Sequence, residues 1–334
     1  MKGKHHIIIE SARLKYEFDI KRNITIIQGD SATGKTTLID LLSDYQQDKQ
    51  NSPVRIESDV PCEVFSANGD RWKSILEMIT DSIVFIDEGN HFIRSKEFAE
   101  VVQNSTNYYV LITRNSLPLL PYSIKEIYGI RTSGKYHFPE KVYHEFYPIY
   151  EDVRNISGKE NPTLKMITED SGSGNQFFQS FFKESENCIS ADGNSNIYST
   201  MRKLNKDDLL SVVADGSAFG AYIAGVLAYA EERGQTLLYF PESFEWIILK
   251  SGVISDARIQ EKLEHPEAYA DSCEYMSWEQ YFTDLLESST KDDDIKHYQK
   301  RKLAPFYISD NVRSKILQIL PDKLREALES EKGQ

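Results

Sequence analysis

Ile24-Thr25-Ile26-Ile27-Gln28-Gly29-Asp30-Ser31-Ala32-Thr33-Gly34-Lys35-Thr36-Thr37-Leu38-Ile39-Asp40-Leu41-Leu42 decides the fold of the first half of this chain. It opens as an apolar strand and turns through a loop that begins and ends near glycines. It then continues into a segment whose Leu38, Leu41 and Leu42 recur at helical spacing. Residues 29–36 match G-x-x-x-x-G-K-[ST] at every fixed position, between a strand and a helix as the mechanism requires. Glycines let backbone amides curl around a polyphosphate, and the helix N-terminus adds partial positive charge. Gly29, Asp30, Ser31, Ala32, Thr33, Gly34, Lys35, Thr36 and Thr37 are therefore the expected nucleotide-binding residues. Lys35 would reach the β- and γ-phosphates, and the Thr36 hydroxyl would ligate magnesium.

Working outward, Ile83-Val84-Phe85-Ile86 is a continuous apolar run that ends in Asp87-Glu88, as a buried parallel strand would read. At such a strand end the first acid, Asp87, is expected to hold Mg2+. The second, Glu88, is placed to polarise a water for attack on the γ-phosphate. Tyr108-Tyr109-Val110-Leu111-Ile112 is the next buried strand and ends beside Arg114, a candidate contact to the γ-phosphate or an arginine finger in a dimer. Strands alternating with helices predict a parallel α/β sheet over residues 1–150. The polar stretch 151–162 reads as a linker. The alternation then restarts over 163–252 as a second α/β domain, and 253–334 reads as a mainly helical, acidic tail.

Composition narrows the class. The chain has 334 residues, 40% hydrophobic and 27% charged, which is ordinary for globular proteins and long enough for two domains. With 39 Lys+Arg against 52 Asp+Glu the net charge is −13, which argues against broad charge-driven coating of nucleic acid. No apolar stretch is long enough for a membrane span, and the N-terminus lacks the apolar core of a signal peptide. The cysteines Cys62, Cys188 and Cys273 are few, odd in number and far apart, as expected of free thiols in a reducing cytoplasm. The histidines show no paired metal spacing, and His5 and His6 would face opposite ways on a strand. Phe177, Phe178, Phe181 and Phe182 fall at helical spacing and are expected in the core.

The order of these pieces over roughly residues 5–130 resembles the ABC-type ATPases, especially the overcoming-lysogenization-defect (OLD) nuclease group. The resemblance rests on the strands leading into the Lys35 loop, the Asp87-Glu88 pair and Tyr108–Thr113. Two departures stand out. No Leu-Ser-Gly-Gly-type signature lies between the loop and Asp87, and Thr113-Arg114 stands where the family's switch histidine would be. Residues 163–250 resemble the Toprim fold, through Glu169 after the first strand, Asp192-Gly193 after the second and Asp215 after the third. Glu245 follows the fourth. This resemblance implies that Glu169, Asp215 and Glu245 converge at strand ends to hold a divalent metal for phosphodiester chemistry. Ser217 replaces the second acid of the family's Asp-x-Asp.

Together these resemblances imply an ATP- and Mg2+-binding ATPase whose nucleotide state gates the second domain or a partner, in bacterial defence or a mobile element. An ATP-regulated metal-dependent nuclease and a non-hydrolysing nucleotide-binding regulatory module remain alternatives. A P-loop kinase is weakened by the Asp87-Glu88 pair. The partners to expect are a nucleotide, a nucleic acid or protein, and a second copy of the chain as a homodimer, with no membrane involved.

Overall fold

The computed structural model describes residues 1–29, 34–67, 69, 71–137, 141–156 and 163–333. The chain is α/β and forms two compact units, Met1–Tyr150 with His265–Ser277, and Glu151–Glu264 with Trp278–Gln334. Among the described residues, no helix is long and apolar enough to cross a membrane.

In the first unit the strands are β1 (His5–Glu10), β2 (Leu14–Ile20), β3 (Ile24–Ile27), β4 (Arg55–Glu57), β5 (Cys62–Val64), β6 (Ile83–Ile86), β7 (Tyr108–Ile112), β8 (Ile127–His137) and β9 (Lys141–Pro148). The helices are α1 (Lys35–Gln47), α2 (Trp72–Leu76) and α3 (Lys96–Gln103). The strands form one nine-stranded sheet in the order β4-β1-β2-β9-β8-β3-β7-β6-β5. From β8 to β5 all pairings are parallel. The other half is mixed, because β1–β2, β1–β4 and β8–β9 are antiparallel. The expectation of a wholly parallel sheet is corrected here. The physical reason lies in the side-chain pattern. β3, β6 and β7 are buried at every residue, as strands covered on both faces must be. β1 and β2 alternate buried with less buried positions, the signature of a half-covered antiparallel ribbon. His5 is accordingly buried and His6 exposed. Helix α1 turns Leu38, Leu41 and Leu42 into the core formed with Ile7, Tyr16, Phe85 and Val110.

Residues 265–277, expected within the tail, belong to the first unit. The Met1 ammonium donates to Asp271 Oδ1 at 3.0 Å and to Ser272 Oγ at 2.8 Å, and Asn23 Nδ2 donates to the Met276 carbonyl at 2.7 Å. These bonds hold the segment against the N-terminal strands.

The second unit contains β10 (Val153–Ile156), β11 (Leu164–Thr168), β12 (Cys188–Ser190), β13 (Leu209–Val213) and β14 (Thr236–Tyr239). Its helices are α4 (Ser173–Gln179), α5 (Ile197–Met201), α6 (Ile223–Arg233), α7 (Phe244–Lys250), α8 (Ala257–Glu264), α9 (Trp278–Thr290), α10 (Asp310–Leu317) and α11 (Asp322–Gly333). The five-stranded sheet runs β10-β14-β13-β11-β12. It is parallel except for β10, which pairs antiparallel with β14 at the edge. Part of the expected linker 151–162 is thus a strand; residues 157–162 lie outside the described residues. Phe177, Phe178, Phe181 and Phe182 are buried, as their spacing predicted.

Candidate functional site

The first site is built where β3 meets α1. Gly29 and Gly34 both lie at positive φ, 129° and 97°, a region that L side chains disfavour, and the chain enters α1 directly from Gly34. Gly34, the N-cap of α1, has no side chain to cap the helix. Asp30, Ser31, Ala32 and Thr33 lie outside the described residues. Lys35, the first residue of α1, is buried, and its Nζ donates to the Gly29 carbonyl at 2.6 Å.

Around that lysine the structure gathers the other residues expected from sequence. Gly34, Lys35, Thr36, Thr37, Asp87, Glu88 and Arg114 line one cleft of about 370 Å3. Asp87 and Glu88 enter it because β6 ends at Ile86, and Arg114 because the neighbouring β7 ends at Ile112. Arg114 Nε lies 3.4 Å from Glu88 Oε2, a pair exposed enough to exchange with solvent or ligand.

Two residues of this cleft escaped sequence reasoning. Tyr16 on β2 and His144 on β9 face each other in register, their rings stacked with centroids 4.6 Å apart. The buried Tyr16 hydroxyl donates to the Gly34 carbonyl at 2.9 Å. Burial pushes the Tyr16 phenol up to about 12, partly opposed by a hydrogen bond with Thr37. A Cβ on Gly34 would stand 2.8 Å from that hydroxyl and 3.4 Å from the His144 ring. The pair is therefore a floor under the last residue of the loop. Burial lowers the His144 pKa, and its Nδ1 has no hydrogen-bond partner among the described residues.

The second site lies at the C-terminal edge of the other sheet. β14, β13 and β11 are adjacent and parallel, so their ends share one edge. Glu169 follows β11, Asp215 lies just beyond β13, and Glu245 sits in the first turn of α7, whose N-cap Ser243 accepts the Trp246 N–H at 3.1 Å. All three line one small cavity of about 40 Å3. The turn at Asp215 depends on Gly216, whose added Cβ would collide with the Phe240 carbonyl and stand 2.9 Å from that of Pro241. Ser217, at the position of the family's second acid, is buried and donates to the Glu242 carbonyl at 2.6 Å.

Each of the three carboxylates already has a donor. Glu169 Oε2 accepts the Asp215 N–H at 3.2 Å, Asp215 Oδ1 accepts the Phe244 N–H at 3.1 Å, and Glu245 Oε1 accepts the Tyr298 hydroxyl at 2.6 Å. Tyr298 also hydrogen-bonds Ser173 Oγ, and Lys300 Nζ is ion-paired with Glu279. Burial, then the neighbouring Glu279 charge, pushes Glu169 up to about 8. Asp215 is raised well above its ordinary range by burial and by Glu279, Glu169 and Glu245. Burial also raises Glu245. For Lys300 burial acts downward, but Glu279, Asp215 and Glu245 outweigh it and the net shift is upward. Among the described residues, no group of three or more His, Cys, Asp or Glu is arranged to hold a metal ion. The three carboxylates that the Toprim resemblance singles out line one cavity together with the Lys300 side chain, and one oxygen of each is engaged by a protein donor. Lys300, Glu279 and Tyr298 come from far along the chain and carried no motif that pointed to them.

No protein-family model matches this chain, and no curated protein matches it.

Proposed function

We propose that the first unit binds ATP with Mg2+ and hydrolyses it slowly, and that the nucleotide state gates the second, Toprim-like unit or a partner. The observation that carries this reading is the convergence of Lys35, Thr36, Asp87, Glu88 and Arg114 on one cleft at the N-terminus of α1. The donors fit the group: an ammonium beside a glycine-flanked loop, a hydroxyl one residue on, and a carboxylate at the adjoining strand end. On binding, Lys35 would exchange the Gly29 carbonyl for phosphate oxygens. Thr36 and Asp87 would hold the Mg2+, which supplies charge neutralisation at the β- and γ-phosphates. Glu88 would take a proton from the attacking water, giving ADP and inorganic phosphate. For this Glu88 would exchange its contact with Arg114 for the water, and the Arg114 guanidinium would turn to the γ-phosphate.

The experiment is steady-state phosphate release. Glu88→Gln should retain ATP while turnover falls about 10²-fold or more. Normal turnover by Glu88→Gln would overturn the assignment of the base. The Glu88–Arg114 pair favours one second reading, a module that binds nucleotide without turning it over, and absence of phosphate release from the unmodified chain would select it.

A further inference from the structure

We propose that the ε-ammonium of Lys300 is the resident cation of the carboxylate pocket in the second unit, doing there the electrostatic work of a divalent metal. Glu169, Asp170, Asp215 and Glu245 line the cavity, and Glu279 stands at the Lys300 ammonium. Carboxylates drawn together away from water are offset by bound protons or by a cation held among them. Lys300 is the only Lys, Arg or His among the described residues that line the cavity. It contacts Glu279 directly and is felt by Asp215 and Glu245 at longer range.

The cation is delivered by fixed main chain. The Lys300 carbonyl accepts the Ser173 N–H at 2.9 Å, so Lys300 is tied to the start of α4. Gln176 of the same helix donates to the Arg301 carbonyl and accepts the Leu303 N–H, each at 2.9 Å. On the other side the Tyr298 N–H donates to Thr290 Oγ1 at 3.0 Å, and its hydroxyl reaches Glu245. Residues 298–303 are thus strapped across the sheet edge at several points, and the ammonium is placed by this strap.

The carboxylates are arranged to match. One oxygen of each of Glu169, Asp215 and Glu245 is held by a protein donor, which fixes the groups around the cavity and leaves the other oxygen of each for the cation. Glu245 lines the cavity, and its Oε2 is buried without a hydrogen-bond partner among the described residues. Lysine as a compact point charge suits this role, because it neutralises without demanding the octahedral ligand shell of Mg2+. The inference stands whether or not the first unit binds nucleotide.

The test is Mn2+ binding to the full chain without nucleotide, read from the electron paramagnetic resonance signal of free Mn2+. The quantity is the Mn2+ bound in a manner that Asp215→Asn abolishes, which separates this pocket from any ion near Asp87. The expectation is none in the unmodified chain, none in Lys300→Arg, and one per chain in Lys300→Met. If Lys300→Met is unfolded without metal, saturating Mn2+ should restore its circular dichroism, and Asp215→Asn should prevent the rescue. Asp215-dependent Mn2+ in the unmodified chain would overturn the proposal. So would a Lys300→Met chain that neither binds Mn2+ through Asp215 nor is rescued by it.

Discussion

Gly34→Ala tests whether the end of the loop is shaped by the floor beneath it. Gly34 sits at φ 97° and ψ 2°, and an alanine there carries the left-handed penalty of roughly 1–2 kcal/mol. Its Cβ would stand 2.8 Å from the buried Tyr16 hydroxyl, which cannot retreat into solvent, and overpacking of this kind costs about 1–3 kcal/mol. Reduced freedom of the unfolded chain returns about 0.4–1 kcal/mol. The net loss is about 2–4 kcal/mol. Tyr16→Phe alone should cost only about 0.5–1.5 kcal/mol, since the Gly34 carbonyl keeps the Leu38 N–H at 2.9 Å. In the double variant the steric part disappears, so the two losses should fall short of additivity by about 1 kcal/mol or more. The assay is amide hydrogen exchange of peptides from β3, β6 and β7, which reports opening of the first unit by itself. Gly34→Ala should speed their exchange roughly 30- to 900-fold. Exchange unchanged in Gly34→Ala, or strictly additive effects in the double variant, would refute the reasoning.

The same assay checks two further expectations. Arg22 and Glu126 are both buried and paired at 3.2 Å, so Glu126→Ala should destabilise the first unit by about 3–5 kcal/mol, whereas Arg22→Met with Glu126→Leu should cost less than that single change. Gly216→Ala should destabilise the second unit by about 3 kcal/mol, because its Cβ meets the Phe240 and Pro241 carbonyls, and exchange should rise in β11 and β13 while β3 is unaffected.

Much of the first unit was legible because its central strands are continuous apolar runs. β3, β6 and β7 announce burial on both faces, and each ends where a candidate residue is needed. The antiparallel half was legible too, in the alternation of HHIIIE and LKYEFDI, but strand-then-helix order alone hid it. Val153–Ile156 reads as linker because it is a short edge strand whose two central residues, Arg154 and Asn155, are polar and exposed. Tyr16 and His144 meet through a pairing of β2 with β9, and nothing in either segment names the other. Lys300 is harder still. A carboxylate after a strand can be placed by topology, whereas a lysine from an irregular strap is placed only by the packing of Ser173, Gln176 and Thr290.

ATP titration by calorimetry, comparing the unmodified chain with Lys35→Ala in the presence of Mg2+, tests the central claim most directly. Lys35 would give up its charge-assisted bond to the Gly29 carbonyl at 2.6 Å for stronger ones to phosphate. Its removal should weaken ATP by about 1.5–3 kcal/mol, roughly 10- to 150-fold. Because the Gly29 bond must first be given up, the lower end of that range is expected. Saturable ATP binding that weakens by at least that lower amount in Lys35→Ala is the predicted result. ATP bound equally by both chains, or by neither, would contradict the account.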